Sequence, residues 1–457
     1  MSWYLRRQYA MSMNTHTAFQ RLLSGIYPQL LALVCVIGPS SFYAQDNHYE
    51  GLSLGFRNAI LSGAGISRWV DQTAVVNNAA TMMNADNAGF TFSSTTGGLD
   101  LIRFRDALGN DIDIQADDAQ LYPGLLAADL PVFRNRDKHR LGIAVFNRIS
   151  DRTRFTQRVD QSLNIINDLE APGNEAFIGQ YVLDIELRET NAAMAWATRL
   201  NDRWSAGLTL MALLRTHRYR ENAAVTLIAD PGLQPAVDVV SAESDISLKM
   251  SPSMLQLRGS LAWKNGPWNA GFIFTLPSIL VLSSGDMIAQ ISLNNVRADS
   301  LSPRRSYFAS AYLEKQRPAF KYPLSCSVGL SRAFESGALV SASATWNGAI
   351  SRYAIFDPGD TPFLQPPSAD NLIFTQRFLE VWSSNRALLN GALSAEMPMT
   401  PSFSLLGGIR SDLHYAQIQD PRPPGFQLAK KIWNRYHLCA GAAIQKKRSN
   451  WIVGLQY

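Results

Sequence analysis

The sequence predicts an all-β protein: a transmembrane antiparallel β-barrel of about 14 strands, within a range of roughly 12 to 16, with an N-terminal plug of short helices and turns. Three observations predict it. Long segments alternate between apolar and polar or small residues with a period of two, so that one face of each is wholly apolar. Tight connectors ("NDR", "KNGP", "AFESGA") contrast with long polar ones ("ADPGLQPAVDVVSAESD", "FDPGDTPFLQPPSADN"), the asymmetry of periplasmic turns and outer loops in such barrels. Beyond residue 44 no run of 18 apolar residues occurs, which excludes spanning helices. The hydrophobic content of 46% still accommodates strands whose second face lines a polar lumen.

Residues 1–44 read as an export signal. Arg6, Arg7 and Arg21 form a basic region, no acidic residue precedes Asp46, and Leu30–Ile37 is a short apolar run. The stretch "SSFYAQ" offers cleavage after Ala44. Pro28 and Pro39 bracket a run far shorter than the roughly 20 residues of a membrane anchor. Cys35 follows Val34 rather than a small residue, which argues against lipidation. The remaining cysteines, Cys326 and Cys439, are too few and too distant for a disulfide framework or a zinc pattern. The chain carries 42 basic and 37 acidic residues, and three of the arginines lie in the leader, so no nucleic-acid footprint remains.

Residues 45–88 are expected to form the plug. The stretch "RNAILSGAGISRWVDQTAVVNNAATMM" (57–83) mixes small residues, a Trp and an Asn pair, and it alternates nowhere. Residues 89–457 are expected to form the barrel. In "RWSAGLTLMALLR", Trp204, Ala206, Leu208, Leu210, Ala212 and Leu214 share the apolar face. In "NGPWNAGFIFTL" that face holds Trp268, Ala270, Phe272, Phe274 and Leu276, and in "ALVSASATWNGAIS" Val340, Ala342, Ala344, Trp346 and Ile350. The stretch "FKYPLSCSVGLS" reads as one strand with Phe320, Tyr322, Leu324, Cys326, Val328 and Leu330 outward. In "PSFSLLGGIRSDLHY", Phe403, Leu405, Ile409, Leu413 and Tyr415 oppose Arg410, Asp412 and His414. The last strand, "NWIVGLQY", ends on an aromatic residue with Trp451, Val453, Leu455 and Tyr457 on one face. It resembles the terminal strand recognised by the outer-membrane barrel assembly machinery, an expected partner along with outer-membrane lipids.

Gly63-Ala64-Gly65, Asp71 and Asn77-Asn78-Ala79, following an export signal and preceding a barrel, resemble the N-terminal hatch of the FadL-type outer-membrane transporters for long-chain fatty acids and other hydrophobic compounds. The sequence departs from that family at Asn78, where its motif has Pro. "KYPLSCSVGLSRAF" and "ALVSASATWNGAISRY" resemble the family's strands around a long loop. The resemblance implies passive uptake of hydrophobic small molecules through a plugged lumen; the alternative is a plugged barrel serving as a secretion or surface-attachment scaffold. An ordered plug argues against a general porin.

Inside such a barrel an apolar solute needs apolar crevices rather than a water-filled pore. Leu52, Leu54, Phe56, Ile60, Leu61, Trp69 and Val70 are the candidates in the plug, and Asn77, Asn78 and Ala79 form its motif. Arg57 and Arg68 are the candidate cations for a ligand carboxylate. No enzyme chemistry is expected. Arg410, Asp412 and His414 lack a nucleophile motif, and His437 with Cys439 is too small a set for a metal site. No phosphate loop, dinucleotide fingerprint or cofactor motif occurs.

Overall fold

The computed structural model describes residues 48–49, 54–85, 89–93, 96–104, 114–122, 124–166, 169–296, 303–357, 380–417, 426–427, 433–446 and 449–457. The leader and Leu52 lie outside the described residues. The structure is mainly antiparallel β-sheet, as the alternation predicts. Its strands are β1 (Phe90–Ser93), β2 (Thr96–Phe104), β3 (Ile114–Tyr122), β4 (Leu125–Leu130), β5 (His139–Leu163), β6 (Glu175–Arg199) and β7 (Trp204–Ile228). Then follow β8 (Val239–Met250), β9 (Ser253–Asn265), β10 (Trp268–Thr275), β11 (Ile279–Leu282), β12 (Gly285–Val296), β13 (Arg305–Gln316), β14 (Ser325–Ala333), β15 (Leu339–Asn347) and β16 (Ile350–Phe356). The last six are β17 (Val381–Asn385), β18 (Leu388–Thr400), β19 (Phe403–Asp412), β20 (Phe426–Gln427), β21 (Arg435–Lys446) and β22 (Ser449–Gln456).

Seventeen of these segments form one sheet. It runs from β1 through β4, β5 and β6 to β7, which pairs with β9 along its first half and with β8 along its second. From β9 it continues through β10, β14, β15, β18, β19 and β21 to β22. Beside it, β8 pairs with β12 and β12 with β13. Residues 239–265, 268–296 and 305–333 are therefore three long strands, each interrupted once or twice. Among the described residues no ladder register joins the edge strands β1 and β22.

Along β7 the apolar face changes sides. Trp204, Leu208, Leu210 and Leu214 face outward, whereas Ser205 and Thr209 are buried inside. Beyond Arg215 the outward residues are Arg218 and Arg220, and the buried ones are Tyr219, Val225 and Leu227. Eleven residues from Trp204 to Leu214, at roughly 3.3 Å per residue and a tilt of about 40°, span an apolar belt of about 25 Å. Above it the wall turns its apolar face inward, against a second sheet.

That second sheet, β16–β17–β20, leaves the wall where β15 and β18 end. Ile355, Phe356 and Val381 are buried in one cluster with Phe155, Leu183, Tyr219 and Leu248 of the wall. The upper half is thus a packed core between two β-layers.

Three sequence expectations need correction. Ile350, expected to share the apolar face of the strand with Trp346, instead opens β16 of the second sheet, because β15 ends at Asn347. The strand expected over 320–331 begins only at Ser325, and Phe320 and Tyr322 are buried inside rather than outward. Pro323 has no N–H to give to a ladder, so the chain leaves the wall there and loses the period-two phase. Tyr415 is likewise buried inside, because β19 ends at Asp412. Cys326 lies on the outward face with Val328 and Leu330, whereas Cys439 is buried against the plug. A maleimide reagent should label Cys326 well before Cys439, and equal rates would contradict this strand phase.

Candidate functional site

The plug is built from turns because its sequence interrupts every helix early. Helix α1 (Phe56–Ile60) begins at Gly55, with φ of 75°, and the chain reverses at Gly63, with φ of 101°. Three 3₁₀ turns follow: Ala64–Ile66, Gln72–Val75 and Ala79–Asn84. Asp71 caps the second by accepting from the Thr73 N–H at 2.9 Å. Burial raises the Asp71 carboxyl above its ordinary range, and the Thr73 hydrogen bonds pull it back. Asn78 caps the third by accepting from the Ala80 N–H at 3.1 Å. Its Nδ2 donates to the carbonyls of Ile66 (2.7 Å) and Leu261 (3.2 Å), tying two parts of the plug to the wall. A proline at 78 could make none of these side-chain bonds, which is the physical content of the departure from the family motif.

The wall receives the plug on glycines. A Cβ at Gly271 would collide with the Ile66 carbonyl, one at Gly207 with Ala79–Ala80, and one at Gly408 with Ser62 and the Ile60 carbonyl. Wall side chains complete the docking. Ser205 and Thr209 donate to the carbonyls of Ala80 (2.8 Å) and Val75 (3.1 Å). Arg199, Arg140 and Arg258 donate to the carbonyls of Met83, Ala85 and Val76, which lie at or just past the ends of 3₁₀ turns.

The sequence-selected residues separate into groups. Arg57 and Arg68 both pair with the buried Glu396 of β18, Arg68 at 2.8 Å, so they fasten the plug to the wall. Ile60, Leu61 and Val70 pack with Leu406, Cys439 and Ala443. Asn78 and Ala79 are buried at the third cap. Trp69 packs partly buried against the main core, and Phe56 is partly buried at the start of α1. Among the described plug candidates, Leu54 and Asn77 line the lumen cavity, and Arg410 of the wall lines it too.

That cavity, about 200 Å³, lies between the plug and the wall. Leu54, Ile66, Val76, Met211, Leu213 and Ile273 give it apolar surface, and Arg148, Arg258, Arg410, Gln256 and Tyr322 polar surface. Arg148 occupies the irregularity where the β5–β6 register shifts between Asn147 and Ile149. It reaches Glu189 at 3.4 Å and lies 4.6 Å from the Tyr322 ring centre. Glu189 also holds Arg215 at 3.2 Å and accepts from the Tyr322 hydroxyl. Arg258 differs. It donates to Thr275 Oγ1 at 3.0 Å and to the Val76 carbonyl, and among the described residues it has no carboxylate partner. Sequence reading missed Arg148, Arg258 and Tyr322. Arg258 sits on the polar face of an ordinary alternating strand, Arg148 depends on the register shift, and Tyr322 depends on the break at Pro323.

The cavity reaches the wall where a ladder stops. The pairing of β10 with β14 ends at Thr275–Ser325, and both residues line the cavity. Beyond it β11 is in register with β9, and no other ladder register of β11 occurs among the described residues. The facing segment 317–324 turns inward, where the Ala319 N–H donates to the Ile355 carbonyl at 2.9 Å. Ser278 with Tyr322 below and Ser283 with Pro318 above bound the interval. All four residues of β11 are exposed, Ile279 by 69% and Leu282 by 70%.

No family model and no curated protein matches the sequence. Solved structures do resemble the chain. The Pseudomonas putida toluene transporter TodX is 13% identical over 89% of this chain and 92% of its own, with a TM-score of 0.53. The TodX deltaS2S3 mutant monoaromatic hydrocarbon channel is 11% identical over 89% and 93%, with a TM-score of 0.52. A Pseudomonas aeruginosa FadL homologue is 13% identical over 88% of each chain, with a TM-score of 0.47. At these identities the likeness speaks for architecture, and the architecture agrees with the resemblance carried by the hatch residues: the chain has the plugged β-barrel fold of the FadL-type transporters.

Proposed function

We propose that this chain is an outer-membrane barrel that admits hydrophobic small molecules by passive passage, with residues 1–44 as its export signal, 45–88 as plug and 89–457 as barrel. One observation carries the reading: a partly apolar lumen cavity abuts a break in the wall ladder whose edge strand is apolar and exposed. A solute with little affinity for water can leave the cavity through that interval into the surrounding bilayer without crossing an aqueous pore. The fold shared with TodX, described as a toluene transporter, supports the same class of solute.

The finer reading is an amphiphile with an acidic end, such as a long-chain fatty acid. Arg258 supports it as a cation that, among the described residues, has no carboxylate partner and lies beside apolar side chains. The volume supports a compact bound portion, since a cavity of about 150 Å³ already accommodates benzene. A fatty acid would place its carboxylate at Arg258 and its chain along the interval beside β11. Binding of labelled palmitate and toluene to purified barrel tests this, with wild type and Arg258→Ala compared. Loss of palmitate binding by tenfold or more, with toluene unaffected, supports the acid. Toluene binding alone, untouched by the substitution, assigns a neutral hydrocarbon. Binding of neither defeats the transport reading and favours a scaffold.

A further inference from the structure

Outward residues just above the apolar belt form a charged stripe. The register aligns Arg152, Glu186, Arg218, Lys249 and Asp286 on five neighbouring strands, β5, β6, β7, β8 and β12. One step higher lie Arg154, Asp184 and Arg220, and one step lower Arg188 opposite Thr216. Glu314 and Lys315 continue the row on β13 with one charge of each sign. Cations outnumber acids here, and the acids are shared. Glu186 serves both Arg188 at 2.8 Å and Arg218 at 3.4 Å, while Asp184 serves Arg154 at 3.2 Å. Arg220 and Lys249 are exposed, and among the described residues neither has a carboxylate partner.

Their spacing matches one anion. Lys249 lies directly across from Arg218 on the next strand, about 5 Å away, and Arg220 lies about 7 Å further along β7. Arginine forks and an ammonium group at this separation can bracket a single phosphate group. The stripe begins immediately above Leu214, where the apolar belt ends, and lies toward the long connections rather than the tight turns. In an outer-membrane barrel that side faces the outer leaflet. We propose that Arg218, Arg220 and Lys249 form a binding site for the phosphorylated headgroup of an outer-leaflet glycolipid, whose acyl chains lie against Leu208, Leu210 and Leu214. The proposal rests on the membrane-barrel reading and not on what the lumen carries.

Full-length protein in detergent micelles tests it with lipid A bearing both phosphates, and with the same glycolipid stripped of phosphate. Wild type should retain the phosphorylated form at least tenfold better, and added salt should weaken it. The triple variant Arg218→Gln, Arg220→Gln, Lys249→Gln should lose that preference while keeping its heat-shifted gel mobility. Arg220→Lys, which keeps the charge, should retain most of it. Equal retention of the two lipids by wild type would overturn the site, as would complete displacement by inorganic phosphate or an unaltered triple variant. Loss of hydrophobic-ligand binding with lipid A retention intact counts against the transport reading alone.

Discussion

Replacing Glu396 by alanine should release the plug from the wall. The carboxylate is buried and answers two partly buried arginines, Arg57 and Arg68, so its removal takes away the carboxylate with which both are paired. Burial already works against the Arg68 charge, and Glu396 is what offsets it. Breaking a buried ion pair costs about 3–5 kcal/mol, several times the cost of losing an exposed one. The expected result is a lower unfolding midpoint, faster proteolysis between residues 57 and 83, and larger small-ion leakage in planar bilayers. The triple replacement Glu396→Met, Arg57→Leu, Arg68→Met should restore much of the stability, because apolar groups of similar volume fill the site without a desolvated charge. Wild-type stability and leakage in Glu396→Ala would mean that this triad does not hold the plug.

A second large effect is expected at Gly271. Its inward face touches the Ile66 carbonyl and the Asn78 side chain, and a Cβ there meets plug backbone rather than a movable side-chain tip. Gly271→Val should therefore displace the turn at Ala64–Ile66 and loosen the Asn78 bonds, costing about 1–3 kcal/mol from overpacking and more from buried carbonyls left unpaired. Gly259→Val is the matched control. A Cβ at Gly259 finds open space within 4 Å, and a β-branched residue suits a strand. Protease sensitivity of the plug should rise in the first variant and stay level in the second. Equal behaviour would remove the glycine-docking account.

Much of the fold was legible because an outward apolar belt imposes a strict period-two code on the strands that form it. From Trp204 to Leu214 and from Trp268 to Leu276 every outward position can be read from period two alone. The code fails where the belt ends. Above Arg215 in β7 the wall is wet outside and packed inside, so the same alternation carries the opposite meaning. Local sequence does not mark that inversion except through the arrival of Arg218 and Arg220. Near Pro323 the alternation persists in sequence while the chain has left the ladder, which is why Phe320 and Tyr322 are found inside. The plug was legible as a compact, non-alternating segment, but the uses of its residues were not. Arg57 and Arg68 satisfy Glu396, 339 and 328 residues away, and no spacing rule reports such a partner. The cavity cation that lacks a carboxylate partner among the described residues is instead Arg258, which resembles any lumen-facing residue until its surroundings are assembled.

The proposed route takes hydrophobic solute from the lumen cavity through the interval between β11 and residues 317–324. Uptake of labelled hydrophobic compound into vesicles tests this passage, using Val281→Cys with Lys321→Cys after Cys326 and Cys439 are replaced by serine. Linking the two positions with a short, reducible bismaleimide reagent should lower uptake to that of protein-free vesicles, and reduction should restore it. Uptake that continues unchanged across the linked interval, or that never exceeds protein-free vesicles, would contradict the account.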